Sequence, residues 1–229
     1  MRAAIHAALG GAMRVLNVGA GTGSYEPSDR TVVAVEPSAV MLEQRPDDAA
    51  PAVRAVAAHL PCRDASFDAA MAVLTIHHWG DALASGLAEL RRVSRGPIVI
   101  VTYDAEVCGR MWLVDDYFPE AGALDAVTFP TIDALTDALG GRVEVAPLPV
   151  ARDTPDWTFG AFWAHPERVL DPAARAATSG FARQPAAVVD RVVAAVRRDL
   201  ASGAWDRRHG HLRDLEEFDV GMRLVVALG

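Results

Sequence analysis

Short apolar runs recur along the first half of the chain and predict the strands of a sheet. Polar residues, glycine or proline bound each run, which is typical of buried strands. Stretches with helical spacing alternate with these runs, and this alternation favours a parallel, doubly wound sheet. The predicted strands cover about residues 14–18, 31–35, 53–56, 69–75 and 98–103.

Apolar residues spaced three or four positions apart predict the helices of the chain. One helix is expected over about residues 81–93, and another over 132–139. Ser38 can cap a shorter helix, in which Met41 is expected to face inward. A long amphipathic helix is expected after Pro185, where valines form an apolar stripe.

The pattern becomes looser after the fifth strand. Residues 104–130 carry few regular signals, and residues 143–145 alternate as a sixth strand. A final strand is expected over 218–226. The segment 150–213 between these two strands is far longer than an ordinary connection, so we interpret it as an insertion.

The first predicted strand ends in a loop with glycine at three alternate positions, Gly19, Gly21 and Gly23. Because glycine has no Cβ, such a loop lets a ligand lie against the backbone. A helix after the loop would also direct unpaired N–H groups at that ligand. Glu36, at the tip of the second strand, is placed to accept hydrogen bonds from a ribose diol. The pattern therefore predicts a nucleoside-binding site.

Two kinds of nucleoside cofactor fit this pattern to different degrees. A dinucleotide fingerprint is G-x-G-x-x-G, whereas this chain has G-x-G-x-G followed by Ser24 and Tyr25. An NAD(P)-dependent oxidoreductase is therefore an alternative with unfavourable glycine spacing. A glycine-rich turn without a ligand is a further alternative, but the strand, the glycines and Glu36 agree with one another against it.

Residues 15–23 resemble motif I of the class I S-adenosylmethionine (SAM) methyltransferases. Two further runs look like the methyltransferase 11 group, which includes the ubiquinone/menaquinone-type enzymes. These runs are Leu60-Pro61 followed by Ser66-Phe67-Asp68, and Leu-Thr-Ile-His-His-Trp at 74–79. The resemblance spans about residues 13–103.

The resemblance implies an α/β fold with a doubly wound, Rossmann-like, seven-stranded sheet. That sheet is mostly parallel with an antiparallel last strand, and a helical lid insertion lies between strands six and seven. The length of 229 residues favours a single domain over 1–229. We expect 104–130 and 150–213 to cover the substrate; the alternatives are a site that stays open and one that a second subunit closes. The implied function is methyl transfer from SAM to an unidentified small-molecule acceptor, with S-adenosylhomocysteine (SAH) as product. A SAM-binding regulatory protein without catalysis is the alternative.

The resemblance also implies the residues of the cofactor site. The glycine loop would contact the amino-acid part of SAM, Glu36 the ribose, and Ala57 and Ala58 the adenine. Val56 stands where many relatives carry an acidic or amide residue, so one adenine contact is missing. The implied cofactor-binding residues are Gly19, Ala20, Gly21, Thr22, Gly23, Glu36, Pro37, Ala57, Ala58 and Thr75.

Three side chains near the ends of strands four and five are candidates for a general base. His77 and His78 follow Thr75, where a base could remove a proton from the acceptor. The alternative for each is packing, a backbone hydrogen bond or capping of the next helix. Asp104, just past the fifth strand, is a third candidate, with a helix cap or loop turn as its alternative.

Composition limits the partners of the chain. Its 229 residues carry a net charge of −8 and no lysine, which excludes a Walker A site, a pyridoxal Schiff base and a lysine nucleophile. The acidic charge argues against nucleic-acid binding, and no apolar run approaches the ~20 residues that span a membrane. We expect a cytoplasmic protein with a small-molecule partner, no nucleic acid and no membrane; a homodimer is one expected assembly.

Some features lie outside these motifs. Cys62 and Cys108 are expected to be free thiols, and no metal site is expected. The insertion is locally basic, and its densest polar run is 206–211. That run could face an anionic acceptor, but we favour a solvated linker. Four aromatic residues of the insertion are expected in the core: Trp157, Phe159, Phe162 and Trp163.

Overall fold

The computed structural model describes residues 1–155 and 158–228, and this part of the chain divides into two compact units. The first unit comprises Met1–Tyr103, Thr128–Ala146 and the chain from Arg223 onward. The second unit comprises Asp104–Val127 and Pro147–Met222. The predicted substrate-covering segments, 104–130 and 150–213, fall largely within this second unit.

Strands occur in both units. In chain order they are β1 (Arg14–Val18), β2 (Thr31–Val35), β3 (Ala52–Val53), β4 (Ala69–Val73), β5 (Ile98–Tyr103), β6 (Val143–Pro147), β7 (Val150–Ala151), β8 (Glu217–Phe218) and β9 (Met222–Ala227).

Seven of these strands form one sheet in the order β3-β2-β1-β4-β5-β9-β6. β1 pairs in parallel with β2 and β4, and β4 pairs in parallel with β5. β6 and β9 run antiparallel, because the Leu148 N–H donates to the Met222 carbonyl at 2.9 Å and the Leu228 N–H donates to the Arg142 carbonyl at 2.9 Å. The predicted fold class, a mostly parallel Rossmann-like sheet with one antiparallel strand, is confirmed.

Helices connect the strands and build most of the second unit. They are α1 (Arg2–Ala8), α2 (Ala39–Glu43), α3 (Leu83–Val93), α4 (Ala105–Gly109), α5 (Pro119–Thr128), α6 (Ile132–Leu139), α7 (Pro172–Ala176), α8 (Ser179–Ala182), α9 (Ala186–Ala201) and α10 (Ala204–His209).

The core of the first unit lies where helices cover the sheet. Leu87, Leu90 and Val93 form the apolar stripe of α3, and all three are buried together with strand residues such as Leu16 and Ile100. This is the arrangement that the helical spacing predicts, because one face of an amphipathic helix must be removed from water.

Several details differ from the sequence prediction. The third strand, expected over about 53–56, is β3 at Ala52–Val53. The expected final strand over 218–226 is two strands, because the backbone of Gly221 has a φ of +90° and interrupts the extended conformation. β8 pairs with β7 in a separate antiparallel sheet, and only β9 joins the large sheet. β4 ends at Val73 because Leu74 has a φ of +52°. Met41 does not face the interior: its side chain is 42% exposed, and no residue of α2 is buried.

Aromatic side chains fill the second unit. The Trp112 indole N–H donates to the Trp163 carbonyl at 2.8 Å, and the Trp112 ring meets Trp205 edge-on at 5.3 Å. Phe162 and Trp163 are buried, so these two have the core position that the sequence favours. Trp157 lies outside the described residues.

The polar run 206–211 is folded and is not a solvated linker. It forms the end of α10 and the start of the turn that follows. Arg208 pairs with Asp199 at 2.6 Å, and the His209 Nε2 lies 2.7 Å from Asp116 Oδ2. Both side chains contact carboxylates of the same unit.

Both cysteines are free thiols. Burial raises the pKa of the Cys108 thiol to about 12, with a further contribution from Asp125, so little thiolate forms near neutral pH. Among the described residues, no group of three or more His, Cys, Asp or Glu side chains is arranged to hold a metal ion. None of the described helices is long and apolar enough to cross a membrane.

Asp68 connects the start of β4 to the start of β1. Its Oδ2 accepts hydrogen bonds from the Arg14 N–H at 2.9 Å and the Met13 N–H at 3.1 Å, and these bonds lower the pKa of the carboxyl. Since the folded pKa lies below the unfolded one, the carboxylate stabilises the fold above the unfolded pKa of about 3.9. That stabilisation is lost as pH falls through the folded pKa.

We therefore expect Asp68→Asn to lower the thermal midpoint clearly near pH 7 and much less near pH 3. Thermal unfolding followed by circular dichroism at both pH values checks this. Asp29→Asn is the control, because that carboxylate is 72% exposed and its pairing with Arg30 is at the surface. An equal loss for Asp68→Asn at both pH values would contradict the assigned role of the ionised carboxylate.

Candidate cofactor site and active site

The carboxyl ends of neighbouring strands in the first unit surround a cavity of about 850 Å³. This is the edge at which ligands bind in doubly wound sheets. The lining comes from the loop after β1, from the start of α2, from the segment after β3 and from the segment after β4. Its residues are Val18 to Thr22, Ser24, Tyr25, Glu36 to Ser38, Met41, Ala55 to His59, Val73 to Thr75, His78, Trp79 and Ala82.

The ends of β1 and β4 approach each other too closely for a side chain at Gly19. A Cβ at this position would lie 2.0 Å from Thr75 Oγ1, and the φ of Gly19 is +69°. Both the space and the backbone conformation therefore require glycine. Thr75 is 8% exposed, so its side chain fills the space that Gly19 leaves.

The glycine loop continues without a helix. Residues 19–30 form turns that lead directly to β2, so this segment lacks the helix that the sequence analysis considered after the loop. The physical reason is local, because Pro27 follows closely and glycines with positive φ at 19, 21 and 23 interrupt any helical turn. The loop must therefore be held by other contacts.

Glu36 provides one of those contacts. Its Oε2 accepts a hydrogen bond from the Gly21 N–H at 2.8 Å, and its Oε1 accepts one from the Ser38 N–H at 2.9 Å. The side chain is buried, and it joins the glycine loop to the start of α2. Each carboxylate oxygen has a second lone pair, so Glu36 can also accept hydrogen bonds from a ligand hydroxyl.

Part of the cavity lining is apolar. Ala55, Val56, Ala57 and Ala58 line it together with Met41 and Trp79. Met41 is 42% exposed and Val56 is 48% exposed, so the cavity rim presents apolar side chains that the protein itself does not cover. A flat heteroaromatic ring is a suitable occupant for such a surface.

The two histidines occupy different positions. His78 is exposed and lines the cavity, whereas His77 is half-buried and is absent from its lining. The His77 ring lies 3.9 Å from the His78 ring and 4.5 Å from the Phe129 ring. Phe129 in turn meets Tyr103 edge-on at 5.8 Å. His77 therefore packs between the second histidine and an aromatic pair.

Leu74 carries local backbone strain beside these histidines. Its φ of +52° is unfavourable for a residue with a branched side chain. The Leu74 N–H donates to the Val101 carbonyl at 2.8 Å, which fixes the backbone as it leaves the sheet. Leu74 and Thr75 both line the cavity, so the strained turn directs the chain around it.

Most of the predicted site residues meet in this cavity. Ten of the thirteen are among its lining residues: Gly19, Ala20, Gly21, Thr22, Glu36, Pro37, Ala57, Ala58, Thr75 and His78. Gly23 and His77 are not among them. Asp104 belongs to the second unit and is the N-cap of α4, where its Oδ1 accepts from the Glu106 N–H at 3.1 Å and the Val107 N–H at 3.4 Å.

Sequence reasoning missed several lining residues. Ser24 and Tyr25 directly follow Gly23, and this adjacency to the glycine loop is the sequence signal for them. Met41 was expected in the core, because its spacing in α2 resembles that of a buried helix face. Trp79 is the last residue of the run 74–79, and its place in that run is the sequence signal that could have identified it as a lining residue.

Comparisons with known proteins identify the family. A family model described as a methyltransferase domain matches residues 16–99. A crystal structure from Anabaena variabilis, described as a candidate methyltransferase from an antibiotic biosynthesis pathway, is similar over the whole chain. It has 31% sequence identity and a TM-score of 0.89, over 98% of this chain and 96% of that chain. The chain therefore belongs to the class I SAM-dependent methyltransferases, and its cofactor is SAM.

More distant structures share the fold alone. A SAM-dependent methyltransferase of Thermotoga maritima, described as a possible histamine N-methyltransferase, has 16% identity and a TM-score of 0.58 over 99% of this chain and 86% of that chain. A phosphoethanolamine N-methyltransferase of Haemonchus contortus, solved with phosphomonomethylethanolamine and SAH, has 16% identity and a TM-score of 0.57. Its match covers 98% of this chain and 51% of that chain. No curated protein sequence matches the chain significantly.

Gly21 and Gly10 form a matched pair for testing the cavity. Both have positive φ, +52° and +56°, and a Cβ at either would meet no protein atom within 4 Å. Alanine at either position should therefore cost a similar ~1–2 kcal/mol of backbone strain. Only Gly21 lines the cavity, so only Gly21→Ala places a methyl group in the space for a ligand.

We expect Gly21→Ala to raise the SAH dissociation constant roughly tenfold or more, and Gly10→Ala to leave it unchanged. Calorimetric titration gives the affinity, and urea unfolding confirms that the two variants are equally stable. Equal affinity in both variants would show that the backbone at Gly21 does not face the ligand.

Proposed function

We propose that this methyltransferase transfers the methyl group of SAM to a small-molecule acceptor, and that the cavity of the first unit is the SAM site. The observation that carries the proposal is the joining of three surfaces in one cavity: the glycine loop, the Glu36 carboxylate and the apolar rim. These surfaces match the amino-acid part, the ribose and the adenine of SAM, respectively. The volume of about 850 Å³ also suits a nucleoside of this size.

We assign the cofactor contacts to residues that line this cavity. The backbone of Gly19 to Thr22, together with Thr75, would hold the amino-acid part. Glu36 would accept the ribose hydroxyls, and Pro37, Ala57 and Ala58 would border the nucleoside. SAM supplies a methyl group already activated by its sulfonium charge. The protein must therefore orient the acceptor, exclude water and, for a hydroxyl or acidic C–H group, accept a proton.

His78 is our first candidate for accepting that proton. It is exposed to the cavity, and it follows Thr75 at the edge where the methyl group would be presented. His77 packs against His78 and Phe129, so it would position the neighbouring ring. Asp104 is the weakest of the three candidates, because its carboxylate already caps α4.

Several observations support a small molecule as the acceptor. The net charge of −8 disfavours a nucleic-acid substrate. The similar protein of Anabaena variabilis is described within an antibiotic biosynthesis pathway, and the Haemonchus contortus structure contains a small phosphorylated amine. We infer that the variable segments outside the family match at 16–99 determine which acceptor is used.

The cofactor site is tested by titrating the protein with SAM, SAH, NAD and NADP. We expect micromolar binding of SAM and SAH and no response to either dinucleotide. Glu36→Ala should weaken SAH binding roughly tenfold or more, because it removes the acceptor for the ribose hydroxyls. Glu43→Ala removes the same charge from the exposed end of α2, so it is the control that should bind normally. Binding of NAD without SAM would overturn the proposal.

The acceptor base is tested by SAH formation with a panel of small hydroxyl, amine and acidic C–H compounds. With the best acceptor, His78→Gln should lower kcat about 100-fold or more if proton removal is required. His77→Gln should lower it less, because that ring does not line the cavity. Both variants should retain wild-type SAH affinity. A larger loss of kcat for His77→Gln than for His78→Gln would make His77 the proton acceptor and His78 the positioning residue.

A further inference from the structure

A buried ion pair contacts the glycine loop but does not line the cavity. Arg45 and Glu26 have side chains that are only 6% and 7% exposed, and the Arg45 Nη2 lies 2.8 Å from both Glu26 carboxylate oxygens. Neither residue belongs to a predicted motif. Burying two charges carries a large desolvation penalty, so a pair like this is weak evidence for stability alone.

The hydrogen bonds of the pair reach several separate segments. Arg45 Nη1 donates to the Gly21 carbonyl at 3.0 Å, and Nη2 donates to the Ala50 carbonyl at 2.9 Å. Glu26 Oε1 accepts from the Asn17 side-chain amide at 3.1 Å, and Oε2 accepts from the Ala50 N–H at 3.1 Å. The pair thereby ties the end of β1, the glycine loop and the segment before β3 to one another.

Gly21 is therefore held on both sides. Glu36 accepts from its N–H at 2.8 Å, and Arg45 donates to its carbonyl at 3.0 Å. Backbone hydrogen bonds hold the loop on either side of Gly21, because the Gly19 and Ala20 N–H groups donate to the Val35 carbonyl and the Gly23 N–H donates to the Ala20 carbonyl. The N–H and the carbonyl of Gly21 itself are held by the Glu36 and Arg45 side chains.

The pair also explains why Gly23 does not line the cavity. A Cβ on Gly23 would lie 3.0 Å from Glu26 Oε2 and 3.2 Å from Arg45 Nη1. The third glycine of the motif thus faces the ion pair, and its lack of a side chain leaves room for the two charged groups.

We propose that Arg45 and Glu26 are positioning residues that hold the glycine loop in its SAM-binding conformation, taking the place of a helix after the loop. This inference rests on the proposed SAM site. Neither residue needs to touch the cofactor. Removing the pair should weaken cofactor binding through Gly21, even in a protein that remains folded.

The decisive variant is the double replacement Glu26→Gln/Arg45→Met. It removes both charges together, so no unpaired charge remains buried, and replacements of this kind are often tolerated by the fold. We expect a thermal midpoint close to that of the wild type, with an SAH dissociation constant raised about 10- to 100-fold. Amide hydrogen exchange should accelerate in residues 19–26 and remain unchanged in β4 and β5.

Two further variants keep the test conclusive. Arg45→Lys retains the charge pair but lacks the planar fork that reaches both carbonyls, so it should also bind SAH more weakly while remaining folded. If the double variant does not fold, the SAH affinity of Arg45→Lys tests the positioning role by itself. Asp68→Asn is the control, because it loosens the opposite end of β1 and should lower stability without changing SAH affinity.

The outcomes separate this inference from the proposed function. Wild-type SAH affinity in a folded double variant or in Arg45→Lys would overturn the positioning role and leave the SAM site intact. An equal loss of affinity in Asp68→Asn would show that affinity follows global stability, which also overturns it. Failure of the wild-type protein to bind SAH would instead refute the proposed site.

Discussion

The close approach of β1 and β4 at their carboxyl ends is the constraint on which the site depends. Thr75 occupies the space beside Gly19, where a Cβ would lie 2.0 Å from its hydroxyl oxygen. The chain leaves both strands at this point with a positive φ, at Gly19 and at Leu74. The segments that follow the two strands both line the cavity. A larger residue at position 19 would separate the strands and remove the shape of that cavity.

Side chains replace a secondary-structure element in holding the glycine loop. A helix would fix such a loop by its own backbone hydrogen bonds and offer its dipole to a ligand. Here Glu36 holds the N–H of Gly21 and Arg45 holds its carbonyl, while Glu26 links Arg45 to Asn17 on β1. The orientation of one peptide group thus depends on residues distributed from β1 to the segment before β3. Two of these residues, Glu26 and Arg45, do not line the cavity.

The two compact units differ in what they reveal about function. The first contains the cavity and the residues that the methyltransferase family model matches. The second has an aromatic core around Trp112, Trp163 and Trp205 and a set of internal ion pairs. A shared fold does not specify an acceptor, because acceptor recognition resides in particular side chains. Similarity over the whole chain to the Anabaena variabilis protein makes that structure the natural guide to the second unit.

The sequence by itself determined the features that depend on neighbouring residues. The bounds of β1, β2, β5 and α6, the glycine loop and the placing of Glu36 follow from local periodicity, capping and glycine spacing. Tertiary structure decided the rest, because the relevant partners are far apart in the chain. Only folding brings Gly23 against Arg45, packs His77 against Phe129 while His78 lines the cavity, and leaves Met41 exposed at the cavity rim. Likewise, a φ of +90° at Gly221 divides one apolar run between two sheets. Glycine has no side chain to restrict its backbone, so its conformation is set by its surroundings.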